Sequence, residues 1–137
     1  MTGAVSYLLD TNILSDLVRN PAGVVAQQIE RVGEDRVGTS IIVAAELRYG
    51  GLKSGSEQLA KRVDLILSSL TILPVDLPSD REYAALRHAL SSQGTPIGPN
   101  DLLIAAHARS LDLTVVTGNL REFQRVPGLK VENWLVK

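Results

Sequence analysis

Residues 6–14, SYLLDTNIL, constrain this chain more than any other stretch. Residues 4–9 read as a buried strand, and the apolar run then stops on a carboxylate, Asp10, followed at once by Thr11 and Asn12. A strand that ends on a charge with a helix directly behind it is how an α/β unit opens. Such folds place ligand sites in the crevice beyond the carboxyl ends of their strands. Asp10 also has a purely local reading, as the cap of a helix starting near Asn12, since Asp, Thr and Asn all favour helix starts.

The rest of the chain repeats that alternation. Pro21 precedes a helical pattern over 22–32, built on Val25, Ile29 and Val32, and 33–35 reads as a turn. A second strand is expected over 36–40, then a helix over 41–49 stopped by Gly50 and Gly51. Helical spacing returns over 55–69, and a third strand follows over 71–75, where Pro74 marks an edge position. A helix over 80–90, a loop over 93–99 and a strongly apolar helix over 101–111 capped by Asn100 come next. Residues 114–117 read as a buried strand, 118–124 as a turn and short helix, and 129–135 as an irregular or strand-like tail around Trp134. Helices alternating with short apolar strands imply an α/β fold, with a mostly parallel central sheet flanked by helices on both faces. The 137 residues fit one domain spanning 1–137, with no linker or internal repeat.

Bulk properties narrow the chemistry. The absence of cysteine excludes a disulfide framework, thiolate catalysis and a thiolate zinc site. Aromatics at 4% leave little for base-stacking platforms, and a formal net charge of −1 is unlike that of a protein coating nucleic acid non-specifically. The start, MTGAVSYLLD, lacks the basic region and apolar length of a signal peptide, and no run is long enough to span a bilayer. The expectation is a cytoplasmic protein without membrane contact.

Two further carboxylates sit in unusual company. Glu46, in IIVAAELRYG, is flanked by Val43, Ala44, Ala45 and Leu47, with Ile42 and Tyr49 on its own helical face. Its bland reading is the edge of an amphipathic helix. Asp101 opens DLLIAAHA, where the helix macrodipole alone favours an acid and where it can share capping with Asn100. In TGNLREF, Asn119 and Glu122 are candidates for a fourth contribution, and either can instead serve the short helix there.

Were Asp10, Glu46 and Asp101 to converge, their mutual repulsion would raise their pKa values or call in a cation. Hard divalent ions such as Mg²⁺ or Mn²⁺ take such oxygen ligands, and the matching chemistry is metal-assisted hydrolysis of a phosphodiester. His88 and His107 are the only imidazoles, and both read as helix surface or packing.

The ordered set LLDTNILSDL, SIIVAAELRYG, PIGPNDLLIAAHARSLDLTVVTGNLREF and RVPGLKVENW resembles the PIN-domain family, most closely the VapC ribonuclease toxins of type II toxin-antitoxin pairs. The pieces cover most of the chain. The resemblance implies a PIN-like fold and Mg²⁺- or Mn²⁺-dependent endoribonuclease activity. It puts Asp10, Glu46 and Asp101 at the acidic catalytic and metal-binding positions, and Thr11, Asn12 and Thr117 at polar supporting ones. Many relatives carry Asp where this chain has Asn119, which leaves the fourth position between Asn119 and Glu122. The resemblance also implies a cognate VapB-like antitoxin over the acidic pocket, a homodimer and an RNA substrate, with initiator transfer RNA suggested by DTNILS and TGNLREFQRVPGL.

Three other classes compete. A receiver-like signalling domain also binds Mg²⁺ at strand ends, but needs a Lys ending a late strand, where this chain has Thr117 and Gly118. A haloacid-dehalogenase-type phosphatase needs Asp two residues after the first, where Asn12 stands. An inactive PIN module that only binds partners is the third. Arg19, Arg48, Lys53, Lys61 and Arg62 are candidates for steering RNA towards the pocket, or are plain solvated surface.

Overall fold

The structure is a computed structural model that describes residues 4–136. Residues 1–3 and 137, at the two ends of the expected domain, lie outside the described residues. Five parallel strands form one sheet: β1 (Tyr7–Leu9), β2 (Val37–Ser40), β3 (Thr71–Leu73), β4 (Thr114–Val116) and β5 (Val131–Glu132). Their order across the sheet is β3-β2-β1-β4-β5. The sheet expected to be mostly parallel is parallel at every pairing.

Helices α1 (Thr11–Arg19) and α2 (Val24–Val32) join β1 to β2, and α3 (Ile41–Lys53) and α4 (Glu57–Ser68) join β2 to β3. Helices α5 (Ser79–Ser92) and α6 (Pro99–Ser110) cross back from β3 to β4, and α7 (Leu120–Phe123) leads to β5. Parallel crossovers are right-handed almost without exception, so the change of direction after β3 puts α5 and α6 on the opposite face from α1–α4. The packing agrees: α1 meets α2, α3 and α4, whereas α5 packs along α6.

β1 is the central strand, paired with β2 through Tyr7↔Val37 and with β4 through Tyr7↔Thr114. Leu8 and Leu9 are wholly buried, and with Val115, Val116, Ile13, Leu14 and Ile104 they belong to one continuous core. The connections from β1 lead to β2, while β4 is reached from the far edge, so the chain changes direction between β1 and β4. The carboxyl ends of those two strands open the crevice where such sheets bind ligands.

Several boundaries differ from expectation for local reasons. α1 starts at Thr11, because Asp10 is its cap and its carboxylate accepts the Thr11 N–H. α2 begins at Val24, after Gly23 rather than directly behind Pro21. Gly50 and Gly51 do not stop α3, which runs to Lys53. A helical glycine costs about 1 kcal/mol, and the buried Gly51 lies where α3 packs on α4, with room for a Cβ at ordinary contact distance, 3.5 Å from the Ala60 Cα. The turn comes at Gly55, with φ of +71°. Asn100 does not cap α6. Gly98 does, with Pro99 at the first helical position, which leaves the Asn100 side chain for other use.

β3 is an edge strand, as Pro74 implies, and ends at Leu73, just before that proline. Gly38 sits in β2 where the chains run close: an added Cβ would lie 2.8 Å from the Thr71 carbonyl oxygen on β3. Gly38→Ala should therefore force β2 and β3 apart and cost about 1–3 kcal/mol. Urea unfolding checks this, as a lower midpoint at unchanged slope.

Candidate active site

The crevice beyond β1 and β4 collects polar side chains from five segments. Asp10 follows β1, Thr117 follows β4, Glu46 lies in the second turn of α3, Asp101 in the first turn of α6, and Asn119 and Glu122 at α7. Asp10 is only 4% exposed. Its Oδ1 accepts the Thr11 N–H at 2.8 Å and its Oδ2 the Thr117 hydroxyl at 2.8 Å. One carboxylate thus caps α1 and faces the cluster at once, so its local and functional readings are compatible.

The neighbours are locked in turn. The Asn12 Oδ1 accepts the Gly118 N–H at 2.9 Å, and the Asn119 N–H donates to the Thr117 Oγ1 at 2.9 Å. Gly118 packs closely here: a Cβ would fall 2.8 Å from the Leu135 Cδ1, so that side chain would have to turn aside. The half-buried Glu46 accepts from the Thr11 hydroxyl at 3.0 Å through Oε1 and from the Asn100 amide at 3.2 Å through Oε2. Glu122 accepts the Gly98 N–H at 2.6 Å through Oε1 and the Asn119 amide at 2.9 Å through Oε2. Asn119 therefore holds Glu122 against the start of α6, as an amide donor.

The charges respond to this crowding. Burial, only partly offset by the bonds from Thr11 and Thr117, and then Glu46 and Glu122, push the Asp10 carboxyl up. Burial, then the charges of Asp10, Glu122 and Glu46 and a hydrogen bond with Glu122, push Asp101 up to about 7. Glu122 moves down, held first by the Gly98 N–H and also by Asn119, Asp101 and Arg125. The opposite shifts assign the proton of this pair to Asp101 rather than Glu122, up to about pH 7. Without a metal ion, that proton relieves the repulsion a cation would otherwise relieve.

Among the described residues, no three of His, Asp and Glu stand close enough to enclose an ion by themselves. The ring is looser than that, while every member still bears on Asp101 electrostatically. An all-oxygen ring with a confined excess of negative charge fits a hard divalent ion that keeps several of its waters.

Beside Glu46, a groove of about 260 Å³ runs between α1, α3 and α4, lined by Thr11, Ser15, Arg19, Leu47, Gly51 and Val63 among others. A larger depression of about 570 Å³, between α2 and the C-terminal segment, contains none of the site residues. Of the candidate steering cations, Arg19 lines the groove, and Arg48 is paired with Asp64. Lys53, Lys61 and Arg62 are exposed. His88 is exposed and His107 buried, as the sequence implies, and neither bonds to a carboxylate of the cluster. Asn100 and Gly98 are the site residues that sequence reasoning missed, the first because it was assigned to capping. Pro99, which takes the first helical position itself, was the available signal.

A PIN-domain family model matches residues 7–129. The chain is 39% identical over 130 residues to a protein of Rickettsia felis named ribonuclease VapC2, covering 93% of this chain and 97% of that one. It is 36% identical over 131 residues to the tRNA(fMet)-specific endonuclease VapC of Salmonella typhimurium, covering 95% and 98%. Among solved structures, it superimposes with a TM-score of 0.88 at 38% identity on a chain of the DNA-bound VapBC2 complex of Rickettsia felis, covering 95% and 99%. The DNA-bound VapBC complex of Salmonella typhimurium gives 0.85 at 34% identity, covering 96% and 99%. Fold and crevice define a PIN domain, and the chain belongs to the PIN-domain family. Nucleases of this family are generally dependent on divalent metal ions.

A pH signature follows from the shifts. Asp10 and Asp101 hold their protons more tightly folded than unfolded, so each adds stability that is complete below its unfolded value of 3.8. That stability is lost as pH rises through the folded value, about 7 for Asp101. Glu122 acts oppositely, and only at pH values below about its ordinary 4.5. Metal-free protein should therefore lose melting temperature between pH 4.5 and about 7. Asp101→Asn should flatten that slope and raise Tm above pH 7 by about 3–5 °C, roughly 1 kcal/mol in a domain of this size. Thermal scans across pH check it.

Proposed function

We propose that this chain is one PIN-like nuclease domain and a metal-dependent endoribonuclease, the toxin of a VapBC-type pair, using Mg²⁺ or Mn²⁺. The observation that carries the reading is the buried Asp10 at the carboxyl end of the central strand, facing Glu46, Asp101 and Glu122. The names of the relatives support it, since those cited are a ribonuclease and a transfer-RNA endonuclease.

Asp10, Glu46 and Asp101 would hold the ion together with its retained waters, and Glu122 is the fourth acidic group, kept in place by Asn119. When bound, a divalent ion supplies positive charge to a phosphodiester in attack and makes a water more acidic. The chain's own part is positional. Thr11 and Thr117 each give Asp10 one hydrogen bond, which fixes the plane of the carboxylate and leaves lone pairs on both oxygens. Thr11 and Asn100 do the same for Glu46, and Asn12 ties the loop after β4 to α1. Since no imidazole reaches the cluster, protons pass between carboxylates and water.

The partners follow from the same family. Solved relatives are VapBC complexes, and we assign this chain a cognate VapB-like antitoxin, a homodimeric state and a cytoplasmic setting. No helix among the described residues is long and apolar enough to cross a membrane. The Salmonella typhimurium relative named for tRNA(fMet) makes initiator transfer RNA the first substrate to try.

Purified chain free of antitoxin should cut RNA with Mg²⁺ or Mn²⁺ and stop when a chelator is added. Asp10→Asn should lower the rate by more than about a hundredfold, beyond the roughly 10–100-fold typical of outer-shell partners, with an unchanged circular dichroism spectrum. A folded wild type that cuts neither total nor initiator transfer RNA with either metal would overturn the reading.

A further inference from the structure

His107 is 1% exposed on α6, among Ile104, Ala105, Ala106 and Ala108. An aliphatic side chain would fill that place without the cost of burying an imidazole. Its Nδ1 lies 2.9 Å from the Oγ of Ser40, which is itself wholly buried at the end of β2.

The Ser40 Oγ already accepts the Ile42 N–H at 3.1 Å, as the cap of α3. It keeps a hydrogen and a second lone pair for the imidazole, so it can bond Nδ1 in either neutral tautomer. Nε2 has no hydrogen-bond partner, and burial pushes the His107 pKa down, which favours the neutral ring. At the other side, the Ser110 hydroxyl donates to the His107 carbonyl at 2.7 Å and contacts the Ser79 Oγ, at the start of α5, at 3.0 Å.

This bond joins the two helices that carry acidic side chains to the crevice from opposite faces of the sheet. Ser40 sets where α3 begins, and Glu46 is one turn beyond Ile42 on that helix. Asp101 lies six residues before His107 on α6, about 9 Å of helix at 1.5 Å per residue. Packing of apolar side chains resists separation of α3 and α6 but permits sliding, whereas a buried directional bond permits one register.

We propose that His107 is a positioning residue for the acidic cluster. Through its Nδ1 hydrogen bond with the Ser40 hydroxyl, it locks the start of α3 to α6 and so sets Glu46 against Asp101. The proposal deepens the nuclease reading and rests on it only for the metal and activity measurements below.

The decisive comparison is His107→Asn against His107→Gln. Asn puts its amide where Nδ1 stands and keeps the bond to Ser40, while Gln carries its polar group out to the Nε2 position. His107→Leu removes the ring nitrogen without adding a buried donor and must side with Gln. In metal-free protein, the carboxyl ¹³C resonances of Glu46 and Asp101 should stay at wild-type positions in the Asn variant and move together in the Gln and Leu variants. Mn²⁺ affinity, read by water proton relaxation, should remain within about threefold of wild type for Asn and weaken roughly tenfold for Gln and Leu. In RNA cleavage, kcat should fall with KM unchanged.

Asn and Gln variants that behave alike, or carboxyl resonances unmoved in Gln and Leu, would overturn the proposal. A merely space-filling histidine would give the same loss of melting temperature in all three variants and no rescue by Asn. The resonance measurement needs neither metal nor RNA, so it judges His107 even where wild-type protein cuts no RNA, a result that would count against the nuclease reading alone.

Discussion

Everything at the crevice depends on a carboxylate removed from water at the end of the central strand. Asp10 has 4% of its surface exposed and no cationic partner among its hydrogen bonds. A buried anion of that kind is costly, and the protein offsets the cost with a helix start and a threonine hydroxyl. Those two donors come from segments distant in sequence, residue 11 and residue 117, so stabilising Asp10 also joins the ends of β1 and β4. The result is a rigid anionic point at the place where the topology leaves a crevice.

The other acids are handled differently, and the contrast explains their opposite behaviour. Glu122 receives two N–H donors, which hold its pKa down, while Asp101, buried and crowded by its neighbours' charges, holds its proton up to about pH 7. Glu46 receives one hydroxyl and one amide, each from a residue adjacent to another acid of the cluster: Thr11 beside Asp10 and Asn100 beside Asp101. The cluster is therefore braced through two pairs of consecutive residues, in each of which one presents a carboxylate and its chain neighbour orients Glu46. A shift in one helix start is felt by two acids. That coupling is why the buried Ser40 and His107 pair, though it touches no carboxylate of the cluster, bears on the site.

The resemblance read from short motifs carries over to the family, yet its weak point, Asn119, has a concrete place. An Asp there would repel Glu122, whereas the amide of Asn119 donates to it at 2.9 Å. In this chain the carboxylate of that turn is Glu122, and Asn119 serves it as a donor. Which of the two faces the crevice depends on the Gly98 N–H, a partner 24 residues away that no local pattern reveals.

The sequence by itself determined the alternation of strands and helices, the parallel sheet, the edge position of β3 and the three acids in apolar company, because periodicity and composition are local properties. It also offered Asp10 as a helix cap beside its functional reading, since capping involves neighbours in the chain. Tertiary structure alone decided the strand order that opens the crevice between β1 and β4, the release of Asn100 from capping to hold Glu46, and the passage of α3 through Gly50 and Gly51. Each of these turns on partners far apart in the chain: β1 paired with β4, Asn100 against Glu46, α3 packed on α4. Local propensity ranks what a residue does alone, and burial against a distant partner outweighs it.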